Sequence, residues 1–320
     1  AAGFDARALL AAARELCPPQ NCAGLIEGSG FEDRPELLRR LARGRRLYGN
    51  TPETVAWLKD PARFFPLLDE LATPHPEISL RPPRKAHGWL AKKTGGNGGG
   101  HVHLAAGAPA DAQHYYQRLA PGRSMSVTFL ANGRAAHIIG FNEQWTAGAG
   151  SPFCYGGAIS HAEVPPPVRT GIVHKLNQLV AETGLSGLNG MDFLLSGDHY
   201  SVLEINPRPT ATVDLYDADY TSGLLAWHLR ACEGDLPSVQ SPRQTMIRAH
   251  AVIYAEQAFC IPAHLKFPDW ASDIPQAGTA FAPGMPVCMA HAEGRSALPV
   301  KQLLRERQSE LTRTLREGAA

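Results

Sequence analysis

The stretch GLNGMDFLLSGDHYSVLEINPRP, residues 187 to 209, constrains the fold more than any other part of this chain. Two strand-like runs flank the turn residues Gly197 and Asp198, so it reads as a β-hairpin. Period two puts Val202, Glu204, Asn206 and Arg208 on one face of the second strand and Leu203, Ile205 and Pro207 on the other. The apolar back face implies a sheet packed on a core. The front face then carries an acid, an amide and a base. A three-residue loop, Gly197 to His199, sets Asp192 opposite Glu204 on that front face. A two-residue loop at 197 and 198 turns the two carboxylates to opposite faces, so a site here requires the longer loop. Two carboxylates and an amide oxygen are hard ligands, suited to Mg²⁺ held jointly with substrate phosphates. Arg208 cannot ligate a metal, but its planar fork suits an anion. The bland alternative is a surface salt bridge on a solvated sheet face.

A second stretch bears on the same chemistry. LAKKTGGNGGGH, residues 90 to 101, follows a strand-like run with five glycines in six positions. Backbone N–H groups of such a loop approach an anion closely because no Cβ intervenes, and Lys92 and Lys93 add charge. Phosphate is the natural ligand; a mobile surface loop is the alternative. No Gly-Lys-Ser/Thr follows, so this is not a Walker A loop. The earlier GSGFED fails as a dinucleotide fingerprint because Asp33 stands where the third glycine belongs. His101 and His103 would share a strand face, but a metal site needs more ligands and none is evident nearby; His101 could instead cover phosphate. The glycine-rich run 142 to 159 reads as a substrate-pocket loop, and Thr210 and Asp214 as residues that could face substrate. No GxSxG elbow is present.

Composition excludes other classes. The chain has 320 residues, 31 Lys plus Arg against 30 Asp plus Glu, and 44% hydrophobic content. A net charge of +1 carries no field for nucleic acid. No apolar run is long enough to span a membrane, and charges spoil the alanine-rich start as a signal peptide. Six dispersed cysteines form no CxxC pair. Reduced thiols in a cytoplasmic protein are the simplest reading, although Cys17 and Cys22 could approach each other.

The elements follow from punctuation and periodicity. Helices are expected at 6 to 16, from Pro35 to a stop at Gly44, and after the cap pairs Thr51-Pro52 and Asp60-Pro61. RLYGN reads as a short strand and QHYYQRLAPG as helix or strand. Asn132-Gly133 marks a two-residue hairpin turn. Residues 168 to 183 form an amphipathic helix, with Ile172, Leu176, Leu179 and Val180 on one face and Gly184 as stop. After about residue 240 the chain turns β-like, then ends in a charged helix near 302 to 317.

A lysine after a strand, a glycine-rich loop, and Asp…Glu-x-Asn-Pro-Arg a hundred residues on resemble the ATP-grasp superfamily over most of residues 47 to 217. The phrases LYGNTPETV, KDPARFF, KKTGGNGGGHV, IIGFNEQW and YGGAI resemble the ATP-dependent carboligases related to biotin carboxylase, in the branch that accompanies tetrahydromethanopterin-linked one-carbon metabolism in methylotrophs. The resemblance implies an α/β (α+β) ATP-grasp fold. It divides into a partial N-terminal α/β unit (1–72), a lid subdomain (73–123), a core sheet with the magnesium site (124–240) and a β-rich C-terminal region with a terminal helix (241–320). It implies ATP and Mg²⁺ as cofactors. Lys59 and Lys92 match the ATP-contacting lysines, with Lys93 standing where many members have proline. Gly96, Gly98 and Gly99 match the loop, and Gln117, Arg118 and Leu119 the adenine hinge. Ser124 lies near the usual ribose-binding acid. Asp192, Glu204 and Asn206 match the magnesium ligands and Arg208 the catalytic arginine; the resemblance implies Arg208 and Lys92 as the catalytic residues.

The implied reaction joins a small-molecule carboxylate to an amine through an acyl phosphate, with a one-carbon carrier such as tetrahydromethanopterin or methylofuran as its setting. The alternatives are bicarbonate activation, as in biotin carboxylase, and an ATP-binding protein without catalysis. Neither nucleic acid nor membrane is an expected partner; a homodimer is compatible with the sequence.

Overall fold

The computed structural model describes residues 5–107, 113–238 and 246–318. The start of the expected C-terminal β stretch, Thr245, lies outside them. The N-terminal part is helical: α1 (Ala6–Leu16), α2 (Pro35–Ala42), α3 (Pro52–Lys59) and α4 (Pro61–Glu70). Local chemistry places the last two. Thr51 Oγ1 accepts from Thr54 N, Asp60 Oδ1 accepts from Ala62 N, and each cap is followed by proline at the first helical position. The expected strand RLYGN is reduced to a single parallel bridge between Leu25 and Leu47. One bridge leaves no ladder to extend, because the chain turns straight into α3.

Next comes a four-stranded sheet in the order β1-β4-β2-β3, built from β1 (Ile78–Ser79), β2 (Trp89–Lys93), β3 (Val102–Leu104) and β4 (His114–Arg118). The ambiguous QHYYQRL is therefore a strand. The glycine-rich loop joins β2 to β3.

The large sheet has eight strands among the described residues, antiparallel throughout, in the order β12-β14-β10-β7-β6-β5-β8-β9. Its strands are β5 (Arg123–Asn132), β6 (Ala136–Thr146), β7 (Tyr155–Ile159), β8 (Ser186–Ser196), β9 (His199–Asn206), β10 (Ile247–Tyr254), β12 (Ala271–Ser272) and β14 (Pro286–Gly294). A two-stranded piece, β11 (Phe259–Cys260) with β13 (Ala280–Phe281), sits beside it in sequence. The strands of the C-terminal region thus extend the core sheet. The β5–β6 turn centres on Gly133 and Arg134, one residue later than expected. Asn132 N donates to Ala135 O while the Asn132 side chain accepts from Arg134 N and Ala135 N.

One sheet face packs on α5 (Pro166–Thr183), which buries Val168, Ile172, Leu176, Leu179 and Val180 against Phe129, Met191, Phe193, Val202 and Ile205. At about 1.5–3 kcal/mol per fully buried aliphatic side chain, this helix anchors the hairpin strands. Gly184 (φ 67°) ends it, its N–H donating to Val180 O. The terminal helix α7 (Ala297–Gly318), longer than expected, covers β10 and β14. Helix α6 (Gly223–Cys232) lies on the other face, where Leu130, Ile139, Leu188, Tyr216 and Leu224 form a second core.

Two expectations fail in the covalent and local detail. Cys17 and Cys22 form a disulfide, with Cα atoms 5.0 Å apart, and are not reduced. The chain doubles back through a short 3₁₀ turn, Pro19–Asn21, which brings the two cysteines into range. The hairpin loop also differs. Ser196 pairs with His199, so the loop is the two-residue one, Gly197 and Asp198.

Candidate active site

With that short loop the two carboxylates should diverge, yet Asp192 pairs directly with Glu204. A β-bulge resolves the conflict. Phe193 pairs with Val202 and Asp192 with Glu204, which leaves Leu203 as an extra residue on β9. The extra residue reverses the facing of everything beyond it. Val202 therefore shares the core face with Ile205, and not the face of Glu204. Leu203 lines the cleft beside Lys59 and Glu204 instead of packing in the core.

Around this bulge the expected ligands converge. Lys59 Nζ, at the end of α3, donates to Glu204 Oε2 at 3.0 Å and to Asn206 Oδ1 at 3.3 Å. Asn206 Nδ2 donates to Asp192 Oδ2 at 2.9 Å, and Gln144 Nε2 on β6 donates to Asp192 Oδ1 at 3.2 Å. Burial and the charge of Glu204 push the Asp192 carboxyl up. Burial pushes Glu204 the same way, but Lys59, Lys92 and His101 outweigh it and hold its pKa low.

Lys92 on β2 is buried; desolvation lowers its pKa, against the pull of Glu204 and Asp192. Its neighbour Lys93 pairs with Asp33 at 3.0 Å and lines the same cavity as Lys59 and Glu204. Period two along β2 turns the two lysines to opposite faces, and Lys92 is the one buried among the charges of Glu204, Asp192 and Lys59. His101 lines the same cavity, its Nδ1 3.1 Å from Asn97 O, while His103 is exposed.

The glycine loop borders the cleft, and Gly95, Gly96 and Gly99 are required sterically. A Cβ on Gly99 (φ 75°) would stand 1.8 Å from Phe153 O, and one on Gly96 would meet the His101 ring. Tyr155 N donates to Gly98 O at 3.0 Å and Ser151 Oγ to Val102 O at 3.0 Å. The run 142 to 159, read from sequence as a pocket loop, thereby holds the glycine loop down. On β4, Gln117 is buried with its Nε2 unpartnered among the described residues. Arg118 N donates to Glu77 O and Leu119 N to Gly88 O, so both amides of the expected hinge are engaged. Ser124 pairs with Leu194 at the start of β5.

Arg208 lies beyond Asn206 and is bound to Glu32, whose side chain is almost fully buried. Glu32 also accepts from Gly30 N at 2.6 Å and Asn97 Nδ2 at 3.3 Å. Burial opposes its charge, and the Arg208 guanidinium more than compensates, lowering the pKa. One carboxylate thus ties the N-terminal unit, the glycine loop and the arginine together. Asn50 acts similarly, donating to Asn189 Oδ1 and Pro207 O, each at 2.8 Å. Sequence reasoning missed Glu32, Asn50 and Gln144. GSGFED was tested only as a dinucleotide motif; its acids were the available signal.

A hard divalent cation fits these donors. Two carboxylates and one amide oxygen converge, and the Lys59 ammonium between Glu204 and Asn206 shows that positive charge is stabilised there. Among the described residues no group of three or more His, Cys, Asp or Glu is placed to hold a metal. A cavity of about 980 Å³ lies elsewhere, lined by Trp145, Tyr254, the α7 residues Lys301 and Arg305 and other residues of the run 142 to 159; none of the expected ATP, magnesium or catalytic residues lines it.

The comparison with protein families decides the fold: the model described as ATP-grasp domain matches residues 55–212. The chain has the ATP-grasp fold. Searching curated proteins finds no match. Solved structures give the same fold at low identity. The biotin carboxylase of Campylobacter jejuni, solved as a complex with β,γ-ATP, superposes with a TM-score of 0.74 at 13% identity, over 95% of this chain and 77% of that one. The biotin carboxylase domain of Hydrogenobacter thermophilus 2-oxoglutarate carboxylase, a dimer solved with MgADP, ADP and bicarbonate, gives 0.71 at 13%, over 95% and 75%. An L-amino acid ligase from Bacillus licheniformis gives 0.68 at 14%, over 96% and 84%. No helix among the described residues of this ATP-grasp chain is long and apolar enough to cross a membrane.

Proposed function

We propose that the protein is an ADP-forming ligase that joins a small-molecule carboxylate to an amine. The observation that carries this reading is the convergence of Lys59, Asp192, Glu204 and Asn206 beside the glycine loop, with Arg208 at its edge. A carboxylate oxygen attacks the γ-phosphorus of ATP, the β–γ bridging bond breaks and ADP leaves. An amine nitrogen then attacks the acyl carbon, phosphate departs, and the amine's proton passes to solvent.

Asp192, Glu204 and Asn206 would hold Mg²⁺, which when bound neutralises phosphate charge. Lys59 and Lys92 bind phosphate oxygens, and Arg208 stabilises charge on the transferring group. The loop Gly96–Gly99, held down by Tyr155 and Ser151, excludes water from the acyl phosphate. Gln117 to Leu119 border the adenine. The sequence phrases LYGNTPETV and KKTGGNGGGHV support a one-carbon carrier, such as tetrahydromethanopterin or methylofuran, as the source of a substrate. A cytoplasmic location accompanies the use of ATP.

The test is incubation with Mg·ATP and cell metabolites, with the ligated product identified by mass and the nucleotide product as ADP or AMP. An amide product with ADP supports the ligase. ADP release that needs bicarbonate and no amine replaces it with the carboligase reading, and nucleotide binding without turnover replaces it with a binding protein. Glu204→Gln should lower turnover at least 100-fold while the folded protein persists; wild-type turnover would sink the assignment.

A further inference from the structure

The proposed reaction leaves the cavity of about 980 Å³ unused, yet its walls have a definite chemistry. One wall is α7. Lys301, Leu304, Arg305, Gln308 and Thr312 line the cavity at the spacing of a single helix stripe. A stripe turned toward a sheet is ordinarily apolar; here only Leu304 is. The floor is the sheet. The Trp145 ring lies across Gly156 and Gly157 of β7, where an added Cβ would come within 2.9 and 2.6 Å of the indole. Two adjacent glycines thus seat an aromatic platform, and Tyr254 adds a second ring to the lining. The loop 147–150 forms the remaining side.

The charges on these walls do not balance. Glu143 is paired with Lys301 at 3.1 Å, and Glu256 is paired with Arg316. The exposed Arg305 has no acidic partner among the described residues, which leaves one guanidinium for a ligand. Small-molecule sites run to about 1,000 Å³, so the space suits a molecule of mononucleotide size. A free guanidinium and two rings in one lining suit a planar aromatic anion.

The cavity is separate from the phosphate chemistry. Glu143 and Trp145 alternate along β6 with Gln144, which turns the other way to hold Asp192. Trp145 packs with the core beneath α7. The cavity and the Asp192 cluster therefore lie on opposite faces of one sheet, and an occupant of the cavity is not the carboxylate being activated. The segment 146–155 links the two. Its first half lines the cavity, and its second half grips the glycine loop, with Ser151 Oγ donating to Val102 O and Tyr155 N to Gly98 O, each at 3.0 Å.

We infer that this cavity is an effector site for a planar aromatic carboxylate or phosphate, and that its occupation is transmitted to the glycine loop through residues 146–155. An occupant seated against 147–150 orders that stretch, and the clasp at Ser151 and Tyr155 passes the order on to Gly98. A ligand that favours the clasped state shifts the population toward it, and whatever binds under the glycine loop raises effector affinity by the same factor.

Calorimetry of the full chain tests the site. The probes are 4-aminobenzoate and pterin-6-carboxylate as carboxylates and AMP and GMP as phosphates, each beside its uncharged counterpart, with Mg²⁺ and β,γ-methylene-ATP saturating so that monophosphates are kept from the nucleotide site. At least one anion should bind about tenfold or more tightly than its uncharged counterpart, and the arm that binds names the anion. Arg305→Ala should weaken it about 10- to 100-fold, as loss of a charge-assisted hydrogen bond does. Gln308→Trp, which fills the cavity from α7, should abolish it. No preference for any anion, or binding that survives either variant unchanged, overturns the site. Hydrogen exchange without nucleotide reads the coupling. The bound anion should slow exchange at residues 96–102 about fivefold or more, and Ser151→Ala should reduce that slowing without lowering anion affinity. Unslowed exchange, or slowing that persists in Arg305→Ala, overturns the coupling. Neither measurement uses turnover, so failure of the ligase reading leaves both results standing.

Discussion

The buried pair Glu32–Arg208 offers a prediction whose size follows from the structure. The Arg208 side chain is 13% exposed and that of Glu32 only 2%. Removing one partner of such a pair strands a buried charge, which costs about 3–5 kcal/mol. Glu32→Gln keeps the shape and some hydrogen bonding to Gly30 and Asn97, so its cost should fall near the low end, about 3 kcal/mol. Arg208→Ala should cost a similar amount, and the double variant less than the sum, with a coupling of about 2–3 kcal/mol. Denaturant unfolding of all four proteins measures this cycle. A pH series adds a second reading. The Glu32 pKa is lowered in the folded state, so its contribution is present above the unfolded value of 4.5 and is lost as pH falls through the folded value. Glu32→Gln should therefore show a weaker loss of stability below pH 4.5 than the wild type. Additive single-variant costs, or an unchanged acid profile, would refute the reasoning. One consequence concerns activity: Arg208→Ala cannot be read as a purely catalytic variant, because it also breaks the pair with Glu32.

The two lysines of β2 should separate. Lys92→Met should weaken Mg·ATP binding at least tenfold by calorimetry, while Lys93→Met, which breaks only a half-exposed pair with Asp33, should stay within about twofold. Gly99→Ala should lower nucleotide affinity more than tenfold, because the new Cβ drives the loop off Phe153 O; wild-type affinity would show that the loop is not clasped as described. Thiol titration in guanidinium should count four reactive cysteines, rising to six after reduction, since Cys17 and Cys22 are paired and Cys154, Cys232, Cys260 and Cys288 are free.

Much of the architecture was legible in local chemistry. Proline after Thr51 and Asp60 set two helix starts, and Gly184 set a helix stop, because caps and left-handed glycines act within a few residues. The glycine loop was readable for the same reason. The hairpin shows where such reading ends. Alternation put Glu204 and Asn206 on one face, where both meet Lys59, but a bulge is a negotiation between two strands, and nothing in SVLEINPRP alone announces that Leu203 is the extra residue.

What the sequence by itself determined is the inventory: a lysine at the end of α3, glycines between two strands, and Asp, Glu, Asn and Arg at the hairpin. What only the tertiary structure decided is who meets whom. Lys92 is buried among the charges of Glu204 and Asp192 while Lys93 pairs with Asp33, because alternate side chains of β2 face opposite sides of its sheet. The Asp192–Glu204 pairing survives a short turn because the core takes Val202 and Ile205 and expels Leu203. Glu32 finds Arg208 across 176 residues of sequence because both are buried at the junction of the N-terminal unit with the sheet. Local rules reach a few residues; the pairing of buried charges depends on desolvation, which exists only once the chain has closed around them.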